Sequence, residues 1–357
     1  MNSSVNLTVN PKLLSVGTAL PQYRVTQDEA RALTRAIFSD PRRDLERLLR
    51  VFDNGHVKQR FLSAPLEWYY QNHTWSERNA IYVQTALELS ERSIRIALAR
   101  ANLTPRDLDA IFYVSTTGLS TPSIDSLLIK RLDMNRHATR VPIWGLGCAG
   151  GASGLNRALD HARAYPGSRV LLVSCETSSL TFQANDPSRA NLVSVSIFGD
   201  GCAAALVSSH PDDAGFEALR GHSTLWDATE DVMGWEVVDT GMKVTLSKSV
   251  PEVVQKYIRS DVVSALEPLG LKIPDLTHFV THPGGEKVLG AFCEALGIPA
   301  SKLEDARTIL EAHGNMSSPT VLFALERLLL RQPVSGEYGL LTAMGPGFSA
   351  EHLVFRT

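Results

Sequence analysis

Short, nearly continuous apolar runs recur along this chain: Ala110-Ile111-Phe112-Tyr113-Val114-Ser115, Arg169-Val170-Leu171-Leu172-Val173-Ser174, His278-Phe279-Val280-Thr281 and Tyr338-Gly339-Leu340-Leu341-Thr342-Ala343. Runs of this length read as strands covered on both faces. Between them, Leu155 to Ala164 and Val321 to Leu330 have the length and spacing of apolar helices. Alternating strands and helices predict an α/β layer architecture. Earlier in the chain, Thr26-Gln27-Asp28-Glu29 predicts a helix cap with a capping box. Asp44 to Val51 predicts an amphipathic basic helix, and Trp68-Tyr69-Tyr70 predicts local packing. Arg140 to Trp144 is a poor strand on this reading, because Pro142 removes a ladder donor.

The order of these elements repeats. Leu103-Thr104-Pro105-Arg106-Asp107-Leu108 leads into the first strand, and Leu271-Lys272-Ile273-Pro274-Asp275-Leu276 leads into the third. Each strand is followed by a glycine turn, then by a small-residue approach to an apolar helix, then by another strand. Three elements in one order at a shift of about 167 residues indicate duplication, with a period too long for a solenoid. The expected division is residues 1–220 and 221–357, two halves related by pseudo-twofold symmetry. That symmetry would bring together the starts of the two helices, with Cys148 and Asn315 in matching places and His282 as the counterpart of Thr116.

Composition narrows the function. The chain has 357 residues, 44% hydrophobic and 20% charged, with a formal net charge of −3, so nucleic acid and anionic membrane surfaces are not expected as main partners. No apolar run reaches membrane-spanning length, and Met1 to Leu7 lacks the basic and apolar regions of a signal peptide; the expected location is the cytoplasm. Cys148, Cys175, Cys202 and Cys293 lie far apart, without the spacing of a zinc site or redox pair.

Candidate chemistry centres on Cys148 in Gly145-Leu146-Gly147-Cys148-Ala149-Gly150-Gly151. A thiol between glycines at the start of a helix is approachable, and the helix end favours its thiolate. His282, in Thr281-His282-Pro283-Gly284-Gly285, and Asn315, in His313-Gly314-Asn315-Met316-Ser317-Ser318, supply a charge partner and hydrogen-bond donors for a carbonyl oxygen. Most free cysteines are small buried hydrophobes, and that reading suits Cys175, Cys202 and Cys293. Gly145 to Gly150 also matches the dinucleotide pattern GxGxxG, but the preceding strand is poor and the acidic residue is misplaced. A Cys-His-Asn set occurs in papain-like proteases too; their local signature around the cysteine is absent here.

The motifs together resemble type III polyketide synthases, the chalcone synthase-like branch of the thiolase superfamily. They are Trp144 to Gly151, Ile197-Phe198-Gly199-Asp200-Gly201, Thr281 to Gly285, Gly314 to Ser318 and Gly345-Pro346-Gly347-Phe348, in the family's order. Initiating ketoacyl synthases share the fold and trio but usually carry His-Gln-Ala-Asn at the histidine. The resemblance implies a thiolase-like fold, layered αβαβα, and an acyltransferase needing no metal or organic cofactor. Cys148 would take an acyl group from an acyl-CoA, its pKa depressed by the helix end and a protonated His282. His282 and Asn315 would hold the thioester oxygen of malonyl-CoA as carbon dioxide leaves.

By the same resemblance, Phe198 is an aromatic gatekeeper, and Arg47 and Arg50 meet the CoA phosphates. Asn54 stands where plant members often have another basic residue. Thr116, Thr117, Thr121, Thr181, Trp235, Val244 and Ser317 would shape the cavity, with Val244 replacing a Phe common in plant members. Ser115 to Pro122, Trp144 to Cys148 and Met233-Gly234-Trp235 are closest to bacterial alkylpyrone and alkylresorcinol synthases. They imply a medium- or long-chain fatty acyl starter, two or three malonyl extensions and an alkylpyrone or alkylresorcinol product. A homodimer is implied too, with the region around Thr121 near the partner's cavity. The alternatives are a single condensation onto malonyl-carrier protein, as in initiating ketoacyl synthases, and a non-catalytic acyl-CoA-binding homologue.

Overall fold

A computed structural model of the chain describes residues 10–38 and 45–357. Nine strands form one mixed sheet, in spatial order Leu276–Thr281, Tyr338–Gly345, Ser349–Arg356, Phe216–Leu225, Lys12–Ala19, Asp200–Ser208, Arg169–Thr177, Ala110–Val114 and Thr139–Ile143. Numbered by chain order, the N-terminal strands of the sheet run 3-2-4-5-1 from the edge inward, and the C-terminal strands, each given the number of its N-terminal counterpart, run 2-4-5-1. Directions agree as well: strands 2 and 4 are parallel, and strand 5 is antiparallel to both 4 and 1. The duplication read from the sequence is therefore a duplication of topology. Among the described residues, the C-terminal half lacks a third strand. The halves meet where Lys12 and Leu13 pair with Glu217 and Phe216.

Alternate residues of each strand enter different cores, as a period of two requires. Phe112, Val114, Val170 and Leu172 face the helix Gly150–Ala164, whereas Ile111, Tyr113, Leu171 and Val173 face Trp75–Ala101 and Ile124–Arg131. In the other half, Val280, Leu341 and Ala343 face Thr320–Leu330, and Phe279, Leu340 and Met344 face Val250–Leu266 and Glu286–Leu296. Five layers result, αβαβα, with Gly150–Ala164 and Thr320–Leu330 sharing the middle one. A helix in that layer must be apolar all round, which explains Val321-Leu322-Phe323-Ala324-Leu325.

Two local readings change. Thr139–Ile143 is a strand despite Pro142; it pairs only with Ala110–Val114, and as an edge strand it leaves the imino acid's missing donor facing outward. The expected basic helix from Asp44 to Val51 is two short helices, Leu45–Leu49 and Val51–Asn54, interrupted at Arg50; Asp44 itself lies outside the described residues. The Thr26 cap has its capping box, and Trp68 packs locally on His73 and Tyr69. Among the described residues, no helix is long and apolar enough to cross a membrane.

Candidate active site

Cys148 sits on a tight turn between the edge strand and the middle layer. Gly145 and Gly147 take φ of 91° and 46°, a short 3-10 turn covers Gly147–Ala149, and the helix starts at Gly150. The Gly147 N–H donates to Thr116 Oγ1 at 3.1 Å, fixing the turn to the end of the neighbouring strand. The thiol is 6% exposed and donates to Ser317 Oγ at 3.6 Å.

His282 follows the strand Leu276–Thr281, and its N–H donates to Thr342 O at 2.9 Å. The ring is buried and neither nitrogen has a partner. An imidazole in this state lacks hydrogen bonds that a bound group could supply. Asn315 arrives from the other helix approach; its Oδ1 accepts from the Ser317 N–H at 2.8 Å. Its main chain also pairs with the segment carrying Phe198. Asn315 N–H donates to Ile197 O at 2.7 Å, and Gly199 N–H donates to Asn315 O at 3.0 Å.

Phe198 caps the helix Arg189–Ile197. Arg60, 2% exposed, braces that C-terminus by donating to the carbonyls of Val195, Ser196 and Phe198. Beyond it, Asp200 is fully buried, accepting from the main-chain and hydroxyl groups of Ser63 and Ser179. Burial pushes its carboxyl up to about 6 against those hydrogen bonds. The Gly-Asp-Gly after Phe198 thus pins the segment that carries Phe198.

Cys148, His282, Asn315, Ser317, Phe198, Trp235 and Val244 all line one largely apolar cavity of about 290 Å³. Phe198 and Trp235 stack with centroids 6.2 Å apart. Trp235 and Val244 are direct cross-strand partners in the hairpin Met233–Val238 and Gly241–Leu246. Other expected positions fall elsewhere. Thr116, Thr117 and Thr181 are buried but form no part of the cavity wall, Thr121 is exposed, and Arg47 and Arg50 are exposed outside the lining. Among the described residues, the cations that do line the cavity are Arg189, Lys248 and Lys287, with Asn54 also in the lining.

Thr116 and Thr117 serve a carboxylate that the sequence reading missed. Glu176, fully buried, accepts from the Thr116 N–H at 2.9 Å, the Thr117 N–H at 3.0 Å, Thr117 Oγ1 at 2.8 Å and Ser318 Oγ at 2.7 Å. It ties the two halves together beneath Cys148. The available signal was one acid inside the apolar run Val173 to Thr177.

The electrostatics run against the expected thiolate. Burial pushes the Cys148 thiol up to about 11, outweighing hydrogen bonds from Ser317 and Asn315, and Glu176 adds to the rise. Burial also pushes His282 down to about 3. Both shifts favour the neutral forms over a thiolate–imidazolium pair.

The comparisons agree with this architecture. Residues 3–211 match the family model for chalcone and stilbene synthases, N-terminal domain, and residues 220–357 match the C-terminal domain of the same family. A chalcone synthase-type protein of Bacillus subtilis (strain 168) is 41% identical, covering 96% of this chain and 98% of its own length. The 1,3,6,8-tetrahydroxynaphthalene synthase of Streptomyces peucetius is 37% identical, covering 96% and 92%. The crystal structure of 1,3,6,8-tetrahydroxynaphthalene synthase from Streptomyces coelicolor A3(2), a bacterial type III polyketide synthase, superposes with a TM-score of 0.91 at 31% identity, covering 97% and 99%. The fold is that of the thiolase-like enzymes, and the chain belongs to the chalcone and stilbene synthase family. It is an acyltransferase of the type III polyketide synthases, which build polyketides by condensing malonyl-CoA.

Proposed function

We propose that this enzyme loads an acyl-CoA starter on Cys148, extends it with malonyl-CoA and releases an alkylpyrone by lactonisation. The observation that carries this reading is the convergence, in one apolar cavity, of a thiol, an imidazole with both nitrogens unpartnered and the Asn315 side chain. Cys148 Sγ attacks the starter thioester while its proton passes to His282; the departing CoA thiolate recovers that proton. The Cys148–His282 pair is neutral before transfer, so the ion pair forms only along the reaction path. Malonyl-CoA then enters, and loss of carbon dioxide leaves an enolate whose oxygen accepts from the single N–H of neutral His282 and from the Asn315 amide. The enolate carbon attacks the Cys148 thioester, the new carbon–carbon bond forms and the cysteine sulfur leaves. No metal or organic cofactor enters these steps.

Phe198 would separate the CoA approach from the reaction chamber. Arg189, Lys248 and Lys287, with Asn54, would meet the CoA phosphates of a substrate threaded toward Cys148; Arg47, on the helix Leu45–Leu49, and Arg50, between that helix and Val51–Asn54, would meet them outside the lining. The apolar wall and the small Val244 support a medium- or long-chain fatty acyl starter. A homodimer is part of the proposal, supported by Leu119 and Trp144, which are 52% and 53% exposed beside the Thr121 loop and at the end of the edge strand.

A second reading rests on the relatives named for 1,3,6,8-tetrahydroxynaphthalene and phloroglucinol, whose oxygenated rings need no alkyl starter. One experiment separates these readings from an initiating ketoacyl synthase. The enzyme and Cys148→Ala are incubated with malonyl-CoA, alone and with acyl-CoAs from acetyl to stearoyl, and products are read by mass spectrometry. Alkylpyrones or alkylresorcinols from long starters, absent in the variant, support the first reading. A polyphenol from malonyl-CoA alone supports the second. No product in any of these, with turnover when malonyl-carrier protein replaces malonyl-CoA, sinks both.

A further inference from the structure

The cavity wall carrying Trp235 is a separate piece of structure. Its hairpin forms a two-stranded sheet of its own, with no ladder to the nine-stranded sheet. An isolated hairpin is marginal in water, so its position depends on what fastens it. Met242 and Val244 are buried, and Met233 and Leu246 pack against the C-terminal outer core. Such apolar contacts resist removal but fix orientation weakly.

The polar fastening runs mainly through one side chain. Gln183 is 3% exposed, and its amide is engaged at both ends. Oε1 accepts from Thr240 Oγ1, at the hairpin turn, at 2.7 Å, and Nε2 donates to Met242 O at 3.2 Å and to Thr181 O at 3.3 Å. Its main-chain carbonyl accepts from Asn191 Nδ2 at 2.8 Å. Asn191 belongs to the helix Arg189–Ile197, which ends at Phe198. A continuous set of hydrogen bonds therefore joins the strand bearing Val244, the turn above Trp235 and the helix bearing Phe198. The other polar tie, Lys243 to Asp186 at 3.8 Å, is partly exposed and correspondingly weak.

We infer that Gln183 is a positioning residue that holds the Trp235 hairpin against the Phe198 helix and thereby sets the aperture through which starters reach Cys148. The inference rests on the function proposed above, because it concerns which acyl groups pass. Phe198 and Trp235 come from different elements, and their stacking depends on the relative placement of those elements. Gln183 is bonded to both. Trp235 and Val244 are paired across the hairpin and so share one face of it, and both line the cavity, so a tilt of the hairpin moves both side chains together.

The test uses Gln183→Leu, which keeps volume and removes the amide, with Thr240→Val as a milder second variant. Hydrogen exchange of the hairpin amides is expected to quicken roughly tenfold in Gln183→Leu while the nine-stranded sheet stays unchanged. Thr240→Val should do the same to a smaller extent. Across the acyl-CoA panel, the ratio of kcat/KM for long over short starters should rise roughly threefold through KM, with kcat held. On a Trp235→Ala background, Gln183→Leu should produce no further change in that ratio. Unaltered hairpin exchange in both variants overturns the inference, as does an equal loss of kcat for every starter. Exchange needs no substrate, so an inert wild-type enzyme would count against the proposed function while the exchange result still judges Gln183.

Discussion

Asn315 and Phe198 are joined main chain to main chain, one from each half of the duplicated fold. The bridge is possible because the chains cross at two glycines. A Cβ on Gly199 would lie 2.6 Å from His313 O, and one on Gly314, already at φ of 70°, would lie 2.6 Å from Ile197 O. In both cases the obstacle is main chain, which cannot swing aside. Gly199→Ala and Gly314→Ala are each expected to cost about 2–3 kcal/mol in denaturant unfolding, with activity falling further than stability because Phe198 and Asn315 separate. Wild-type stability in either variant would show that the crossing relaxes freely.

Cys148 titrates late. With the thiol pushed up to about 11, its alkylation by iodoacetamide should rise about tenfold per pH unit from pH 7 to 9, without a plateau. Peptide mapping separates Cys148 from the other three cysteines. A plateau reached by pH 7 would reveal a preformed thiolate–imidazolium pair.

His282 should contribute to acid sensitivity. Its folded pKa is pushed down from 6.5 to about 3 by burial. Below pH 6.5 the unfolded chain binds the proton first, so stability from this site is present above pH 6.5 and lost as pH falls toward 3. The slope is about 1.4 kcal/mol per pH unit. His282→Gln, measured by urea unfolding between pH 4 and 6.5, should remove that slope from the wild-type curve. His313, pushed down to about 4 by burial, leaves a similar slope in both proteins. Parallel curves would mean that His282 is hydrated when the cavity is empty.

Glu176 receives donors on both carboxylate oxygens, from Thr116, Thr117 and Ser318. Burial holds its carboxyl above the usual range, opposed by those bonds. Glu176→Gln keeps the shape and can keep an oxygen on Thr116 and Thr117, but its N–H2 then faces Ser318 Oγ, which must turn its own proton away while still accepting from Ser174, and the charge on the strong acceptor is lost. The expected cost is about 2–3 kcal/mol, read as a lower midpoint in urea with an unchanged slope. A neutral outcome would indicate that Glu176 is protonated in the native state and already donates.

The limits of the linear chain follow from where information resides in it. Ala110–Val114 and Thr320–Leu330 were legible because burial on every side leaves only apolar residues, and two copies of that pattern exposed the duplication. Cys148, His282 and Asn315 were legible because each stands in a glycine-rich setting that an ordinary core position does not need. Glu176 and Gln183 were not singled out, since a buried polar residue is defined by partners distant in sequence, and nothing local distinguishes it from a surface one. Pro142 misled for the same reason: whether its missing N–H matters depends on having a neighbour on that side, and the strand lies at the edge. Arg189, Lys248 and Lys287 were not singled out, because the rim of a cavity is assembled from segments that meet only after folding. Periodicity and turn chemistry pointed to alternating strands and helices and to Cys148, His282 and Asn315 as candidates. Tertiary structure alone decided protonation, since the pKa of Cys148 and His282 depends on how much water the closed cavity excludes.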